Sequence, residues 1–318
     1  MNILIYGAGV IGCELAHMLC KRNDVTLLAR GEWKKTIDKN GLVIRHYLQM
    51  KTTVDRLKTI DVLEEDDKYD LIFVVMQAFQ LTEVIPFIAK NASSHIVFVG
   101  NNMTAQETAR MAITDSPMEK EIAFGFQGTA GRRENGKVIS LHAGVGMTVG
   151  GFDEPLLEQF QRRLKMAFGG TGYHLTWENQ MDTWLKCHAA WVLPICYVCY
   201  ITDGCLPRAT HRLRKAILDA DLEGYRVLQK LGYSILPVGD EKWFSGLKRP
   251  IMAAIFFVIY KTPIGRLMAS DHAMHAVSEM QYLDAEFETL RKKAGIPTPT
   301  WDSLRKESKI NERLVRKI

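Results

Sequence analysis

Two ionisable side chains in the second half of the sequence stand where they could transfer a proton. Lys186 begins a stretch that carries no Lys, Arg, Asp or Glu until Asp203. Burial removes water from an ammonium group and disfavours its charged form, which suits a lysine to deliver a proton to an oxygen atom. A salt bridge to Asp182, one helical turn away, explains the same residue without any chemistry. The sequence leaves both interpretations open.

Glu279 is the second ionisable candidate. It lies beside the apolar side of a predicted helix, and no Lys or Arg stands three or four positions away from it. A carboxylate without a cation on its own helix reaches another part of the chain, serves a ligand or lies on the surface. The residues around it favour the surface interpretation, because that is the usual place for glutamate.

The first dozen residues suit the binding of a dinucleotide. An apolar run at residues 2–6 leads into a G-x-G-x-x-G turn, and a helical pattern starts at Val10. The turn consists of Gly7, Ala8, Gly9, Val10, Ile11 and Gly12. The first glycine allows the tight turn, the second lets the backbone approach a pyrophosphate, and the third lets helix and strand pack closely. A second strand predicted at residues 25–28 completes the context that this motif requires.

The end of that second strand predicts which nucleotide is bound. An NAD site usually has an acidic residue there, whereas the 2′-phosphate of NADP requires a cation. This sequence has Arg30, followed by Lys34 and Lys35, and NADP(H) is therefore the predicted cofactor. Glu32 is a competing acidic residue, and a solvated loop is the alternative role for the cations.

These residues require two different kinds of scaffold. We predict an α/β fold with an N-terminal doubly wound sheet in residues 1–170 and an all-helical domain in residues 171–318. Apolar runs at 70–76 and 95–99 predict buried parallel strands, and the glycine-rich segment after them predicts antiparallel strands. Beyond Thr176 the apolar spacing is helical, with a second long helix expected from Asp271 to Gly295.

Composition excludes several classes of protein. The chain has 318 residues and a net charge of +5, without a basic stripe interleaved with aromatic residues, so no nucleic-acid partner is expected. Its six cysteines indicate reduced thiols in a cytoplasmic protein, and the pair Cys196 and Cys199 indicates packing rather than a metal site. The apolar stretches at 189–201 and 251–260 are shorter than a membrane span and predict buried helices.

Eight short motifs, in this order and at these spacings, resemble the ketopantoate reductases (2-dehydropantoate 2-reductases). They occupy residues 2–12, 25–31, 77–80, 101–103, 142–146, 184–186, 278–279 and 295–299. The resemblance extends from Met1 to about Lys306. It implies a Rossmann-type domain followed by a helical domain, with the active site in the cleft between them. It also implies a role in pantothenate biosynthesis.

The resemblance assigns a role to each candidate residue. Arg30 corresponds to the 2′-phosphate contact, Asn101 to an asparagine beside the nicotinamide, and Gln77 and Gln80 to a cofactor loop. Lys186 corresponds to the general acid that protonates the carbonyl oxygen of a 2-oxo acid. Glu279, in turn, corresponds to the carboxylate that orients this lysine and the substrate hydroxyl.

The departures from the family pattern concern the substrate and one cofactor contact. Gln77 stands where the family usually has lysine, and Ala190, Pro194 and Leu267 stand where polar substrate anchors are expected. Each lost hydrogen bond to a charged substrate is worth about 1.5–3 kcal/mol. We therefore expect a different, less polar oxo acid, with residues 251–260 and Trp191 as possible pocket residues, although packing in the core or in a homodimer is favoured for them.

Two other functions are compatible with these residues. Lost substrate anchors are also expected of a non-catalytic NADP(H)-binding module that senses redox state. Opine and 3-hydroxyacid dehydrogenases also pair a Rossmann domain with helices, so another dehydrogenase of that architecture is the second alternative.

Overall fold

The protein consists of two compact units. A computed structural model describes residues 1–114, 116–142 and 144–313. The first unit comprises Met1–Gly100 and Thr104–Asp182, and the second comprises Asn101–Met103 and the chain from Thr183 onward. The boundary lies later than the predicted one at residue 170, because the strand His174–Trp177 pairs with the sheet of the first unit.

The first unit combines strands and helices. Its strands are β1 (Asn2–Tyr6), β2 (Asp24–Leu28), β3 (Leu42–His46), β4 (Lys51–Asp55), β5 (Lys58–Ile60), β6 (Leu71–Val75), β7 (His95–Val99), β8 (Glu121–Gln127), β9 (Ala130–Glu134), β10 (Lys137–Leu141), β11 (Gly146–Gly150) and β12 (His174–Trp177). Its helices are α1 (Val10–Leu19), α2 (Gly31–Asn40), α3 (Leu81–Lys90), α4 (Ala105–Thr114) and α5 (Glu158–Phe168).

Eight of these strands form the main sheet, in the order β12-β11-β8-β7-β6-β1-β2-β5. All neighbouring pairs from β8 to β5 are parallel, and β11 pairs with β8 in the antiparallel direction. Every residue of β6 and β7 is buried, as expected for parallel strands covered on both faces. The predicted parallel core and the antiparallel strands after it are both confirmed.

A second sheet of four strands, in the order β4-β3-β10-β9, packs against α1. No strand was predicted where β3 and β4 lie. The alternating burial of β3, at Leu42, Ile44 and His46, is that of a strand with one covered face. Its partner β4 is mostly polar and therefore leaves no apolar pattern in the sequence.

The second unit is helical. Its helices are α6 (Met181–Ile201), α7 (His211–Lys230), α8 (Arg249–Lys261), α9 (Pro263–Gly265), α10 (Asp271–His275), α11 (Val277–Ala294) and α12 (Pro299–Ser308). The helix predicted from Asp271 is interrupted at Ala276, whose φ of −113° and ψ of 39° leave the helical region. Its predicted end is confirmed, because Gly295 adopts the left-handed conformation that closes a helix.

The cysteine pair of the second unit is part of its core. Cys196 and Cys199 are buried, and the sulfur of Cys196 lies 3.2 Å from the sulfur of Met280. Burial raises the pKa of both thiols, that of Cys199 to about 12. Both groups therefore remain protonated at neutral pH, and the predicted packing role is confirmed.

The two apolar stretches differ from their predicted form. The helix α6 has 21 residues and is long and apolar enough to cross a membrane, because it begins well before the stretch at 189–201. However, 72% of its apolar window is buried within the protein, which is typical of a core helix. Residues 246–275 pass the same test only if two arms bent by 86° are counted together.

The helix α8 is only partly buried, and the prediction of a buried helix was wrong for its outer face. Phe256 and Tyr260 are buried and stack with ring centroids 5.5 Å apart. On the other face, Ile251, Phe257 and Val258 are about half exposed, with 53%, 48% and 59% of their surface accessible.

Candidate functional site

The glycine turn between β1 and α1 has a backbone that other residues could not adopt. Gly7 has a φ of +124°, and a Cβ atom there would overlap the carbonyl oxygen of Val75 at the end of β6. A Cβ atom on Gly12 would overlap the carbonyl oxygen of Gly7. Both glycines are therefore needed to bring the turn, the helix and the neighbouring strand together.

The middle glycine of the motif has open space beside its backbone. Gly9 precedes the first residue of α1, and a Cβ atom there would meet no heavy atom within 4 Å. The first amides of a helix have no partners within the helix, and the helix dipole favours negative charge there. The turn thus fits a pyrophosphate, the group that a dinucleotide would present to it.

Arg30 lies at the expected position just beyond β2 and is exposed to solvent. Its guanidinium donates a hydrogen bond of 3.1 Å to the hydroxyl of Tyr6, at the end of β1. Among the described residues it has no carboxylate partner. Lys34 and Lys35 both have one: Lys34 is paired with Asp38 on the same helix, and Lys35 is paired with the competing residue Glu32.

Two further residues beside the turn were not predicted. The indole of Trp33 donates a hydrogen bond of 2.9 Å to the carbonyl oxygen of Ala8 within the turn. The guanidinium of Arg133, on β9, lies 5.5 Å from the centre of the Trp33 ring. Nothing in the sequence relates this hairpin residue to the first turn. It is a second cation near the glycine motif.

Gln77 and Gln80 follow the strand next to β1. β6 ends at Val75, and a short 3₁₀ turn, Ala78–Gln80, follows it. In this turn the main-chain N–H of Gln80 donates a hydrogen bond of 2.9 Å to the main-chain carbonyl oxygen of Gln77. Both side chains are half-buried. Because β6 and β1 are parallel neighbours, this turn and the glycine turn lie at the same edge of the sheet.

In the second unit, the structure joins two of the predicted residues directly. The side-chain amide of Asn101 donates a hydrogen bond of 3.0 Å to Oε1 of Glu279. The other carboxylate oxygen lies 3.7 Å from Nε2 of His272, on α10. Glu279 is 5% exposed, so the surface interpretation favoured by its neighbouring residues is wrong. His272 was not predicted, although it stands seven residues before Glu279 and thus about two helical turns away.

Lys186 is also buried, with 7% of its surface exposed, although it carries an ammonium group. Its Nζ lies 5.3 Å from the centre of the Tyr233 ring, within the range of a cation–π interaction. Asp182, the residue of the alternative interpretation, is buried as well. Lys186 and the pair formed by Asn101 and Glu279 belong to the same compact unit.

The ring of His188 lies on the aromatic side of α6. It stacks on Trp184 with the ring planes 6° apart and lies 5.7 Å from the ring of Trp191. Burial, together with the proximity of His272, lowers the pKa of His188 to about 3. His188 is therefore neutral at physiological pH and contributes no positive charge to this region.

The three positions that lack the family's polar anchors are all buried. Ala190 is fully buried and packs against Gly224 of α7, where a Cβ atom would lie 3.2 Å from the Ala190 methyl. Pro194 lies inside α6, and Leu267 lies in a π-helical turn, Arg266–Ser270, with 3% of its surface exposed. An apolar side chain suits each of these positions.

A known family model matches the N-terminal half of the sequence. Residues 3–154 match the model of the family described as ketopantoate reductase PanE/ApbA. The matched segment includes the glycine turn, Arg30, the turn at residues 77–80 and Asn101. The resemblance predicted from the motifs is thereby confirmed. No curated protein matches the sequence significantly.

Solved structures resemble the whole chain in fold at low sequence identity. A PanE/ApbA family ketopantoate reductase from Ralstonia eutropha JMP134 has a TM-score of 0.74 at 18% identity, covering 98% of this chain and 99% of its own. D-mandelate dehydrogenase with NADH and anilino(oxo)acetate has a TM-score of 0.73 at 19% identity, covering 97% of each chain. A dimeric ketopantoate reductase from Staphylococcus aureus has a TM-score of 0.67 at 14% identity, covering 98% of each chain. These likenesses confirm the predicted fold.

Proposed function

We propose that this protein is a nicotinamide-dependent oxidoreductase that reduces a 2-oxo acid to a 2-hydroxy acid, with NADP(H) as its cofactor. The observation that carries the proposal is the hydrogen bond from Asn101 to Glu279. It joins two motifs that are far apart in sequence, and the resemblance to the ketopantoate reductases assigns both of them to the same reaction. A buried lysine in the same unit, Lys186, supplies the proton donor that this reaction needs.

Each side chain then has a defined task. When bound, the reduced nicotinamide supplies a hydride to the carbonyl carbon of the substrate. The Lys186 ammonium donates a proton to the carbonyl oxygen. The π bond of the carbonyl group breaks, the carbon–oxygen single bond remains, and a C–H and an O–H bond form. The Glu279 carboxylate orients the lysine and accepts a hydrogen bond from the substrate hydroxyl. Asn101 fixes the orientation of Glu279.

The cofactor preference rests on the first unit. Arg30 is exposed, lies beyond β2 and has no carboxylate partner among the described residues, so its guanidinium is available to a 2′-phosphate. Lys34 and Lys35 are already paired within α2 and contribute less. We therefore assign NADP(H) rather than NAD(H), in contrast to the D-mandelate dehydrogenase neighbour, which was solved with NADH.

The substrate is proposed to be less polar than ketopantoate. Ala190, Pro194 and Leu267 are buried and apolar, so none of them can anchor a substrate hydroxyl. The aromatic side of α6, with Trp184 and Trp191, and the likeness to D-mandelate dehydrogenase favour an aromatic 2-oxo acid. A role in pantothenate synthesis, a cytoplasmic location and a homodimer remain predictions.

The test is NADPH oxidation by the purified full-length protein with a panel of 2-oxo acids, including ketopantoate and phenylglyoxylate. We expect turnover with at least one member and a higher kcat/KM for the aromatic acid. Lys186→Ala should lower kcat by about 10²–10⁴-fold, because proton transfer by a positioned group contributes that much. Glu279→Gln should lower it by a smaller factor, since the lysine itself remains.

The matched control is Lys215→Ala, which removes an exposed lysine of α7 in the same unit and should leave kcat unchanged. No oxidation with any acid of the panel would refute the reductase, whereas equal rates for Lys186→Ala and the wild type would refute the role of Lys186 as the proton donor. Tight NADPH binding without turnover, unaltered in Lys186→Ala, would instead support the redox-sensing module, which the apolar residues at the anchor positions also favour.

A further inference from the structure

A second group of ionisable side chains lies in the first unit, and the proposed reaction does not use it. Glu14 of α1, His46 of β3 and His142 after β10 face one another. Glu14 is fully buried, His46 has 2% of its side chain exposed, and His142 has 10% exposed. The small sheet and α1 bring the three together from distant parts of the sequence.

The carboxylate of Glu14 has no adequate partner in the part of the chain that the structure describes. Neither of its oxygens accepts a hydrogen bond there. Its nearest polar neighbours are Nε2 of His142 at 3.4 Å and Nδ1 of His46 at 3.7 Å. A buried charge without hydrogen bonds is strongly unfavourable, so a carboxylate at this position requires a compensating positive group.

The two histidines do not satisfy the carboxylate by hydrogen bonding. Nδ1 of His46 and both ring nitrogens of His142 themselves lack a hydrogen-bond partner in the described part of the chain. His17 already pairs with a different carboxylate, since its Nδ1 lies 2.6 Å from Asp55. A cation from solution, bound between Glu14 and the two histidines, would satisfy these buried atoms together.

The geometry suits a small tetrahedral ion. The three ligand atoms lie within 4.8 Å of one another. In a tetrahedral zinc site with bonds of about 2.0–2.1 Å, ligand atoms are separated by roughly 3.3–3.5 Å. The separations of 3.4 and 3.7 Å from Glu14 to the histidines are close to that value, so small side-chain rotations complete the site.

A neighbouring hydroxyl orients one of the histidines. Nε2 of His46 lies 2.8 Å from Oγ1 of Thr53, on the adjacent strand β4. When Nε2 donates to this hydroxyl, Nδ1 is unprotonated and presents its lone pair towards Glu14. Metal-binding histidines commonly have such a partner on the nitrogen that does not bind the metal. The partial exposure of His142 provides the route from solvent.

We propose that Glu14, His46 and His142 form a binding site for a divalent transition metal, with zinc as the preferred ion. Two imidazoles and one carboxylate are a ligand set that zinc favours, and the fourth position is left to water. The bound ion neutralises the Glu14 carboxylate and ties α1 to β3 and to the segment after β10. The site therefore stabilises the first unit independently of any substrate.

The test uses the full-length protein, stripped of metal with a chelator and titrated with Zn²⁺ alone. We expect one equivalent to bind and the melting temperature to rise with Zn²⁺ concentration, since a ligand of the folded state stabilises it. Glu14→Gln and His142→Asn should each weaken the affinity by more than about 100-fold. Thr53→Val, which removes only the orienting hydroxyl, should weaken it by about 10–100-fold.

Two comparisons distinguish the loss of a zinc ligand from simple misfolding of a variant. The metal-free Glu14→Gln protein should melt no lower than the metal-free wild type, because it no longer buries an uncompensated carboxylate. His211→Ala removes an exposed histidine of the second unit and should bind Zn²⁺ like the wild type. The site is refuted if the wild type binds no stoichiometric zinc, or if Glu14→Gln and His142→Asn bind it with unchanged affinity.

Discussion

The glycine turn of the first unit and the side-chain group around Glu279 in the second unit are built in different ways. In the first unit, the cradle at residues 7–12 is formed by main-chain atoms, and its shape depends on side chains being absent. In the second unit, the group around Glu279 is formed by side chains, and its contacts come from Asn101 and from His272 of α10. One site is a short continuous segment, whereas the other is assembled from distant ones.

This difference determines how each site responds to change. The glycine turn cannot keep its conformation when a Cβ atom is added to Gly7 or Gly12, because close packing leaves no space for it. The side-chain group around Glu279 is destabilised when an atom or a charge is removed, because the remaining polar partners stay buried without compensation. Adding an atom at a glycine and removing a polar group from a side chain should therefore have different consequences at the two sites, and the expected effects differ in size.

Gly12→Ala should have the largest effect. Its Cβ atom would overlap the carbonyl oxygen of Gly7, so α1 must shift away from β1, with a loss of about 1–3 kcal/mol or more of folding stability. NADPH binding should be lost with it. Gly9→Ala is the matched control, because its Cβ atom meets nothing within 4 Å. It should melt like the wild type and still bind NADPH weakly. Normal NADPH affinity in Gly9→Ala, measured by calorimetry, would show that the pyrophosphate does not lie on this turn.

Arg30→Ala tests the side-chain contact that we predict between the first unit and the 2′-phosphate of the cofactor. Removing a charged hydrogen bond to the 2′-phosphate should cost about 1.5–3 kcal/mol, or roughly a 10–150-fold weaker affinity for NADPH. The affinity for NADH should not change, because NADH has no 2′-phosphate. Lys35→Ala serves as the control, since its ammonium is paired with Glu32. Equal losses for NADPH and NADH would remove Arg30 from the 2′-phosphate and leave the cofactor preference without support.

The pH dependence of stability tests the second unit and is the smallest effect. The pKa of His188 falls from its usual value of 6.5 to about 3 in the folded protein, so the unfolded chain binds a proton first as the pH falls. The corresponding stability is complete above pH 6.5 and is lost progressively towards pH 3. Between pH 7 and pH 5.5 this amounts to about 1 kcal/mol for one histidine.

His188→Gln should reduce this pH dependence, because glutamine does not titrate. The measurement is the free energy of unfolding by urea at the two pH values, for the variant and the wild type. A loss of stability that is equal at the two pH values leaves the pH dependence unchanged. This outcome would indicate a packing defect only and would show that His188 is not held in its neutral form.

The sequence was most informative where structure depends on local pattern. The glycine turn, the buried strands β6 and β7 and the end of α11 at Gly295 were predicted, because each depends on neighbouring residues alone. The strands β3 and β4 of the small sheet were missed, and the polar strand β4 gives no apolar signal. The exposed face of α8 was also missed, because apolar composition does not reveal which side of a helix is covered.

Residue types and spacing by themselves determined the G-x-G-x-x-G turn, the cation beyond β2 and the division into a sheet and a helical part. Only the tertiary structure decided that Glu279 is buried and bonded to Asn101, that Arg133 lies over Trp33, and that Glu14 meets two histidines. The physical reason is the distance along the chain over which each property is set. Backbone conformation and periodicity are set within a few residues, whereas the environment of a charge is set by whatever the folded chain brings near it.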